Sequence, residues 1–331
     1  YYFISFLGVL LSLIIWGHQL PKRWKNADAI IRPLIIQANI PNQQKVYAEK
    51  GIGFRSVILN KFLQMTHEAH TSMSRPDFAI WPETAFPEYL NLPFGEHTEK
   101  LNAYIRQQTL PLITGGYSKH PNRQTSNSLF FINEEGEFSD MPYHKSILLA
   151  FGEYIPGAEK FPQLKKWLPM VADFKRGEGP QVRNFLNIKV GPQICYESLY
   201  PEFSWGLVNS GAEVIVNVTN DSWFGWWQEP YQHMIMTLAR GIEFRRPVIR
   251  STNTGISTVM LATGEQLKQS PIGQEWAHTF IVPYKTKPEL TFYAKTFNLI
   301  PNLIIMAIFF ILLFFRIKKY KDQKQSFKRF M

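Results

Sequence analysis

Across 331 residues the chain has one cysteine, Cys195. No intrachain disulfide can form, so cysteine usage does not tell one side of a membrane from the other, and any thiol chemistry must use this residue. Metal signatures are missing too, since there is neither an HExxH nor a paired-cysteine spacing. No metal is therefore expected. Long low-complexity tracts and internal repeats are absent, and with 45% hydrophobic residues the chain can bury a substantial core. The first stretch carries no charge through Leu20, so it lacks the basic region that precedes the apolar part of a signal peptide. Basic charge gathers at the other end. Of the net +10, Arg316, Lys318, Lys319, Lys321, Lys324, Lys328 and Arg329 fall in the last sixteen positions. The remainder is only mildly basic, and no nucleic-acid partner is expected.

The two ends differ from the middle. From Phe297 to Phe315 only Asn298, Pro301 and Asn302 interrupt an apolar run of 19 residues, roughly 28 Å as a helix and about one hydrocarbon core. A transmembrane helix is expected over 297–316. Residues 1–20, followed by Lys22, Arg23 and Lys25, read as the end of a membrane helix entered partway, with more helices expected upstream. Lys and Arg flanking a membrane helix favour the cytoplasm, which makes 317–331 a basic cytoplasmic tail. The middle then faces the periplasm of a bacterial inner membrane, although the three basic residues after the first helix argue weakly the other way.

Between the ends, β-branched and aromatic runs alternate with helical patterns. Strands are predicted over 33–39, 77–81, 111–117, 128–133, 188–196, 213–218, 247–252 and 256–262. Helices are predicted over 54–72, 98–108, 201–211 and 231–244. Helices separating buried-type strands predict an α/β sheet covered on its faces, within one catalytic-sized domain over 30–290.

Four predicted strand ends carry polar groups that a core would not hold. In FAIWPETAFPEY, Glu83 follows a strand and a proline that cannot extend the ladder, although a surface acid there would be unremarkable. PYHKSILLAFGEYIP sets Lys145 and Glu153 eight residues apart. GPQICYESLYPE ends a strand in Cys195 and Glu197, and a lone cysteine is more often a small buried hydrophobe than a nucleophile. VIVNVTNDSWFGWWQEPYQH turns a strand into Asn217, Asn220, Asp221 and Trp223. With Trp226 and Trp227 this density of tryptophan suits a substrate or membrane surface.

Together these residues suggest one chemistry. An unperturbed thiol is largely protonated at neutral pH and needs a nearby base or cation to attack a carbonyl. Glu83 can take its proton, and Lys145 can meet charge developing on the attacked oxygen. A Cys-His arrangement fits less well, with His144 beside Lys145 and His233 within a helix.

These motifs, from QANIP (Gln37 to Pro41) through WPETAFPE, GGY, NSLFF, HKSILLAFGEYIP, CYES, NDSWFG, QH, AR and EFRRPVIRSTNTGIS to the closing apolar helix, cover nearly the whole chain. The sequence resembles the nitrilase superfamily and, within it, the integral-membrane apolipoprotein N-acyltransferases. The resemblance implies a four-layer αββα sandwich flanked by transmembrane helices, working as a monomer without cofactor or metal. It assigns Glu83 as general base, Lys145 as stabiliser of the tetrahedral intermediate and Cys195 as nucleophile. It gives Glu153, Tyr196 and Glu197 supporting places, with the Tyr196 N–H as an oxyanion donor.

The implied reaction is ping-pong. A phospholipid acylates Cys195, and the thioester passes its chain to the N-terminal amine of a diacylglyceryl-cysteine lipoprotein. A membrane-tethered amidase that hydrolyses its thioester is the alternative. Aromatic segments SWFGWW and 161–174 suit an interface or a lid. One departure stands out: Val46 lies where the family is expected to place a tryptophan.

Overall fold

A computed structural model describes residues 2–19, 24, 26–72, 75–92, 95–223, 225 and 227–329. Lys22, Arg23, Lys25 and Trp226 lie outside the described residues. Two compact units emerge, Tyr1–Glu289 and Leu290–Met331.

The strands are β1 (Ala29–Ile31), β2 (Pro33–Gln37), β3 (Phe78–Ile80), β4 (Leu112–Lys119), β5 (Thr125–Ile132), β6 (Tyr143–His144), β7 (Arg183–Phe185), β8 (Ile188–Ile194), β9 (Val214–Thr219), β10 (Val248–Thr252), β11 (Thr258–Met260), β12 (Trp276–Thr279) and β13 (Val282–Tyr284). In the first unit the helices are α1 (Tyr2–Gln19), α2 (Asn42–Glu49), α3 (Arg55–Ser72), α4 (Glu96–Gln108), α5 (Gln163–Trp167), α6 (Pro201–Asn209) and α7 (Glu229–Phe244). The second unit holds α8 (Phe292–Thr296) and α9 (Leu299–Arg329).

One sheet runs β12-β2-β3-β4-β5-β6 and the other β11-β10-β9-β8-β7. Each has a parallel centre, β2-β3-β4 in the first and β8-β9-β10 in the second. Parallel neighbours need crossovers, which α3, α4, α6 and α7 supply.

Alternation along the strands builds two cores. Ile35, Phe78, Ile80, Ile113, Leu129 and Phe131 of the first sheet meet Val190, Ile194, Val216, Val218 and Ile249 of the second between the sheets. The odd-facing partners Leu34, Ile36, Ala79, Trp81, Phe130 and Ile132 turn the other way, against Ile58, Phe62 and Leu63 of α3 and Leu101 and Ile105 of α4. On the second sheet α6 packs against β8, and α7 against β10 and β11. The result is an α/β sandwich of two facing sheets.

Gln37 of QANIP pins the sheets together: its Oε1 accepts from Thr252, Ser257 and Ser270 hydroxyls at 2.7 to 2.9 Å. Among the described residues one helical segment, Pro301–Tyr320 in α9, is long and apolar enough to cross a membrane by length and composition. In α1 the apolar part, Ser5–Gly17, is shorter.

Candidate active site

The polar residues gather where strands end. Past β3, Pro82 offers no N–H to the ladder and the chain breaks off into a turn with Thr84 at φ 51°. Strand β4 runs hard against this turn at Gly115, where a β-carbon would stand 2.6 Å from the Pro82 carbonyl and the Thr84 nitrogen. Only glycine fits there, which gives the GGY stretch a physical reason. Glu83 is thereby held 5% exposed. Its Oε1 accepts from Asn127 Nδ2 at 2.7 Å and Lys145 Nζ at 3.2 Å, and its Oε2 from the Asn220 backbone N–H at 2.9 Å. The Glu83 carbonyl accepts from Lys45 Nζ at 3.0 Å.

Lys145 follows β6 and is 2% exposed. Its ammonium also donates to Glu153 Oε1 at 2.8 Å. Glu153 reaches it because the intervening apolar stretch folds back, with Glu153 Oε2 accepting from the Leu149 N–H at 2.8 Å. Burial alone would discharge Lys145, but the Glu83 and Glu153 carboxylates outweigh it and hold the ammonium protonated well above the ordinary lysine range.

Cys195 directly follows β8 and opens a 3-10 turn, Cys195–Leu199, with φ 51°. Burial pushes its thiol well above the ordinary range, and the Glu83 charge adds to this, while Lys145 and the Thr219 hydroxyl pull the other way. The resting thiol is therefore neutral, and attack requires a base beside it. Tyr196 is half-buried in the first turn of this helix, where backbone N–H groups lack helical partners. Glu197 is fully buried. Its Oε1 accepts from Tyr143 Oη and the Ser146 N–H, each at 2.6 Å, and its Oε2 from the Ile194 N–H at 2.8 Å. It ties the turn at Cys195 to the segment just after Lys145.

Lys145 thus touches both Glu83 and Glu153, and the charges of Glu83 and Lys145 both act on the Cys195 thiol. Asn127, Lys45 and the Asn220 N–H join them without having been singled out for that place. A polar Asn127 inside the apolar run NSLFF was the available signal. Lys45 and Ala48 form the buried face of α2, whereas Val46 is only partly buried. Burial and the Glu49 and Glu83 charges set Lys45 at about 8.

His144 points elsewhere, against His120 and the Ser128 hydroxyl, and burial lowers it to about 4. His233 is buried, with Nδ1 3.0 Å from Asp221 Oδ1 and Nε2 3.3 Å from the Cys195 carbonyl. Among the described residues Asp221, Glu229 and His233 form the one grouping with metal-ligand spacing. Arg250 already donates to Asp221 at 2.9 Å, so a cation there would meet a guanidinium. Trp223 and Trp227 are exposed, as are Phe161, Trp167 and Met170 in the 161–174 segment. That segment returns to the site through the Phe174 N–H, which donates to the Glu153 carbonyl at 3.0 Å.

Residues 52–284 match the carbon-nitrogen hydrolase family model. The chain is 46% identical over 305 residues to a Bdellovibrio bacteriovorus protein named apolipoprotein N-acyltransferase, covering 88% of this chain and 56% of that one. A Rickettsia typhi protein of the same name is 33% identical, with 93% of this chain and 61% of that one covered. The chain thus spans little more than half the length of these relatives. Among solved structures, an amidase from Nesterenkonia sp. AN1 aligns with a TM-score of 0.56 at 16% identity, covering 76% of this chain and 90% of that one. A carbon-nitrogen hydrolase from Helicobacter pylori G27 aligns with a TM-score of 0.55 at 17% identity, covering 77% and 89%. At such identities these two report on the fold alone.

Proposed function

The chain belongs to the carbon-nitrogen hydrolase family, and from that premise we propose that it performs the acyl transfer of an apolipoprotein N-acyltransferase. The observation that carries the chemistry is the Lys145 ammonium clamped between Glu83 at 3.2 Å and Glu153 at 2.8 Å, its charge acting on a neutral, partly buried thiol. The 46% identity to a protein of that name favours this donor and acceptor over an amide and water.

In the proposed reaction Glu83 takes the Sγ proton as Cys195 attacks an ester carbonyl of a phospholipid. Charge gathers on the carbonyl oxygen, where the Lys145 ammonium and the Tyr196 N–H stabilise it. Collapse breaks the ester bond, and the leaving alkoxide takes the proton back from Glu83 as lysophospholipid departs. The amine of a diacylglyceryl cysteine then attacks the thioester and gives its proton to Glu83. The amide forms, and Cys195 leaves as a thiolate that Glu83 reprotonates. Glu153 aims Lys145 between the two steps, and Glu197 braces the nucleophile's turn.

Both substrates reside in a bilayer. We therefore assign α9 as a membrane anchor with the sandwich on the periplasmic face, and the exposed aromatics of segment 161–174, with Trp223 and Trp227, as parts that meet lipid. Water must be kept from a thioester that waits for an amine, and an acyl chain in an apolar site does that. The test is incubation with phospholipid vesicles and a diacylglyceryl peptide. N-acylated peptide is expected, and release of fatty acid without it would replace this reading with hydrolysis.

A further inference from the structure

Cys195 has a left-handed backbone at φ 51°. A residue with a β-carbon holds that conformation only where its surroundings fix it. Here the fixing is done on its carbonyl, which accepts from Ser198 Oγ at 3.0 Å, His233 Nε2 at 3.3 Å and Asn217 Nδ2 at 3.5 Å. These donors come from the turn itself, from α7 and from β9.

Behind two of them stands one guanidinium. Arg250, in the middle of β10 and fully buried, donates through Nη1 to Asn217 Oδ1 at 2.7 Å and through Nη2 to Asp221 Oδ2 at 2.9 Å. Asp221 Oδ1 in turn faces His233 Nδ1 at 3.0 Å. The carboxylate has a single seat, since a β-carbon at Gly255 would stand 2.0 Å from Asp221 Oδ2. Burial by itself would protonate Asp221, but Arg250 and His233 overcome this and hold it below the ordinary aspartate range.

The ring's two nitrogens are thereby committed. A carbonyl can only accept, so Nε2 carries a hydrogen toward Cys195, and Nδ1 faces a carboxylate. Neither nitrogen is placed to take the thiol proton. We propose that His233 is a positioning residue for the nucleophile: aimed by the Arg250–Asp221 pair, it holds the Cys195 main chain in the turn that presents Sγ to Glu83 and Lys145. The proposal rests on Cys195 as the reacting thiol and is independent of which acyl donor or acceptor is used.

Two readouts on the whole chain separate it from the acyltransferase reading. One is alkylation of Cys195 by iodoacetamide, which needs no lipid. The other is acyl-enzyme formation from phosphatidylethanolamine vesicles, followed by intact mass. His233→Leu fills the space without a donor and is expected to slow both rates about 10- to 100-fold at saturating reagent, with the half-saturating lipid concentration changed less than about twofold. His233→Gln keeps a donor at similar reach and should recover most of that loss.

Rates for His233→Leu within about twofold of the original, or a change in half-saturation alone, would overturn the proposal. If the leucine variant does not fold, the glutamine variant decides: rates within about tenfold of the original are expected, and a folded protein slower than that sinks the idea. If the unaltered chain alkylates normally but takes no acyl group, the lipid reading fails while the alkylation comparison still judges His233.

Discussion

Two buried ion-pair systems lie in the facing sheets, and they are built to opposite ends. On the first sheet's side, Lys145 meets Glu83 and Glu153 with side chains 2%, 7% and 14% exposed. On the second, Arg250 meets Asp221 with both side chains at 0%. Every nitrogen of the guanidinium is engaged, with Nε on the Ile256 carbonyl, Nη1 on Asn217 and Thr237, and Nη2 on Asp221. Two of the three ammonium hydrogens of Lys145 meet carboxylates, and the third is what a developing oxyanion needs. A closed pair fixes geometry; an open one leaves bonding capacity for a reaction.

The sharpest ways to break this contrast act on the open system. Cys195→Ser should leave no acyl adduct by intact mass, and Glu83→Gln should slow acylation by about 10³-fold or more, because no base remains beside a neutral thiol. Lys145→Met should cost about 10²- to 10³-fold in acylation rate. Its melting temperature should move only slightly, since the two carboxylates left facing each other can share a proton.

Arg250→Met should act first on stability, with a rate loss no larger than that of His233→Leu. It strands a fully buried carboxylate, which costs about 3–5 kcal/mol and lowers the melting temperature by roughly 10 °C. A stable Arg250→Met that lost its rate alone, or a Lys145→Met that unfolded, would erase the distinction.

Two glycines sharpen it at smaller amplitude. Gly115→Ala drives a β-carbon into the Glu83 turn, and Gly255→Ala drives one into Asp221. Each should cost about 1–3 kcal/mol in stability. Their rates should separate: Gly115→Ala shifts the base itself and loses acylation beyond what its stability explains, whereas Gly255→Ala loses rate only to the extent that Asp221 moves. Stopped acylation assays below each variant's melting range would check this.

Much of this arrangement was legible in the sequence because the site sits at strand ends, and strand ends announce themselves. Proline after FAIW, the break after VGPQI and the polar cluster after VIVNV each stop an apolar run. The central strands β2, β3, β4, β8, β9 and β10 fall within two residues of their predicted bounds because they are buried on both faces. The strands β1, β6, β7, β12 and β13 were not predicted, being two to four residues long and without the apolar run that marks a covered strand. Helix α2, NQQKVYAE, has too little apolar content to show a face, so Lys45 was overlooked along with it.

Glu83, Lys145 and Cys195 were picked out by their contexts. Asn127 and Arg250 were not, because a polar residue in mid-strand has no meaning until its partner on another strand is known. His233 was set aside for lying in a helix, yet that helix is what delivers it to the carbonyl of Cys195.

The mildest test of the closed system uses pH. Glu229 lies at its edge, 3.6 Å from His233 Nδ1. Burial first, and then the Asp221 charge, raise it from 4.5 to about 7. A carboxyl raised in the fold binds its proton more tightly there than in the unfolded chain, so its contribution is full below about pH 4.5 and is lost as pH rises through about 7. The chain should therefore lose stability across that window, and Glu229→Gln, which keeps the neutral shape, should not share that loss. At pH 5 the two melting temperatures should nearly coincide, and at pH 8 the variant should melt higher by a few degrees, an amount reduced by solvent reaching the partly exposed side chain. If the two curves stay parallel across the window, the fold does not raise Glu229 at all, and the closed system ends at His233.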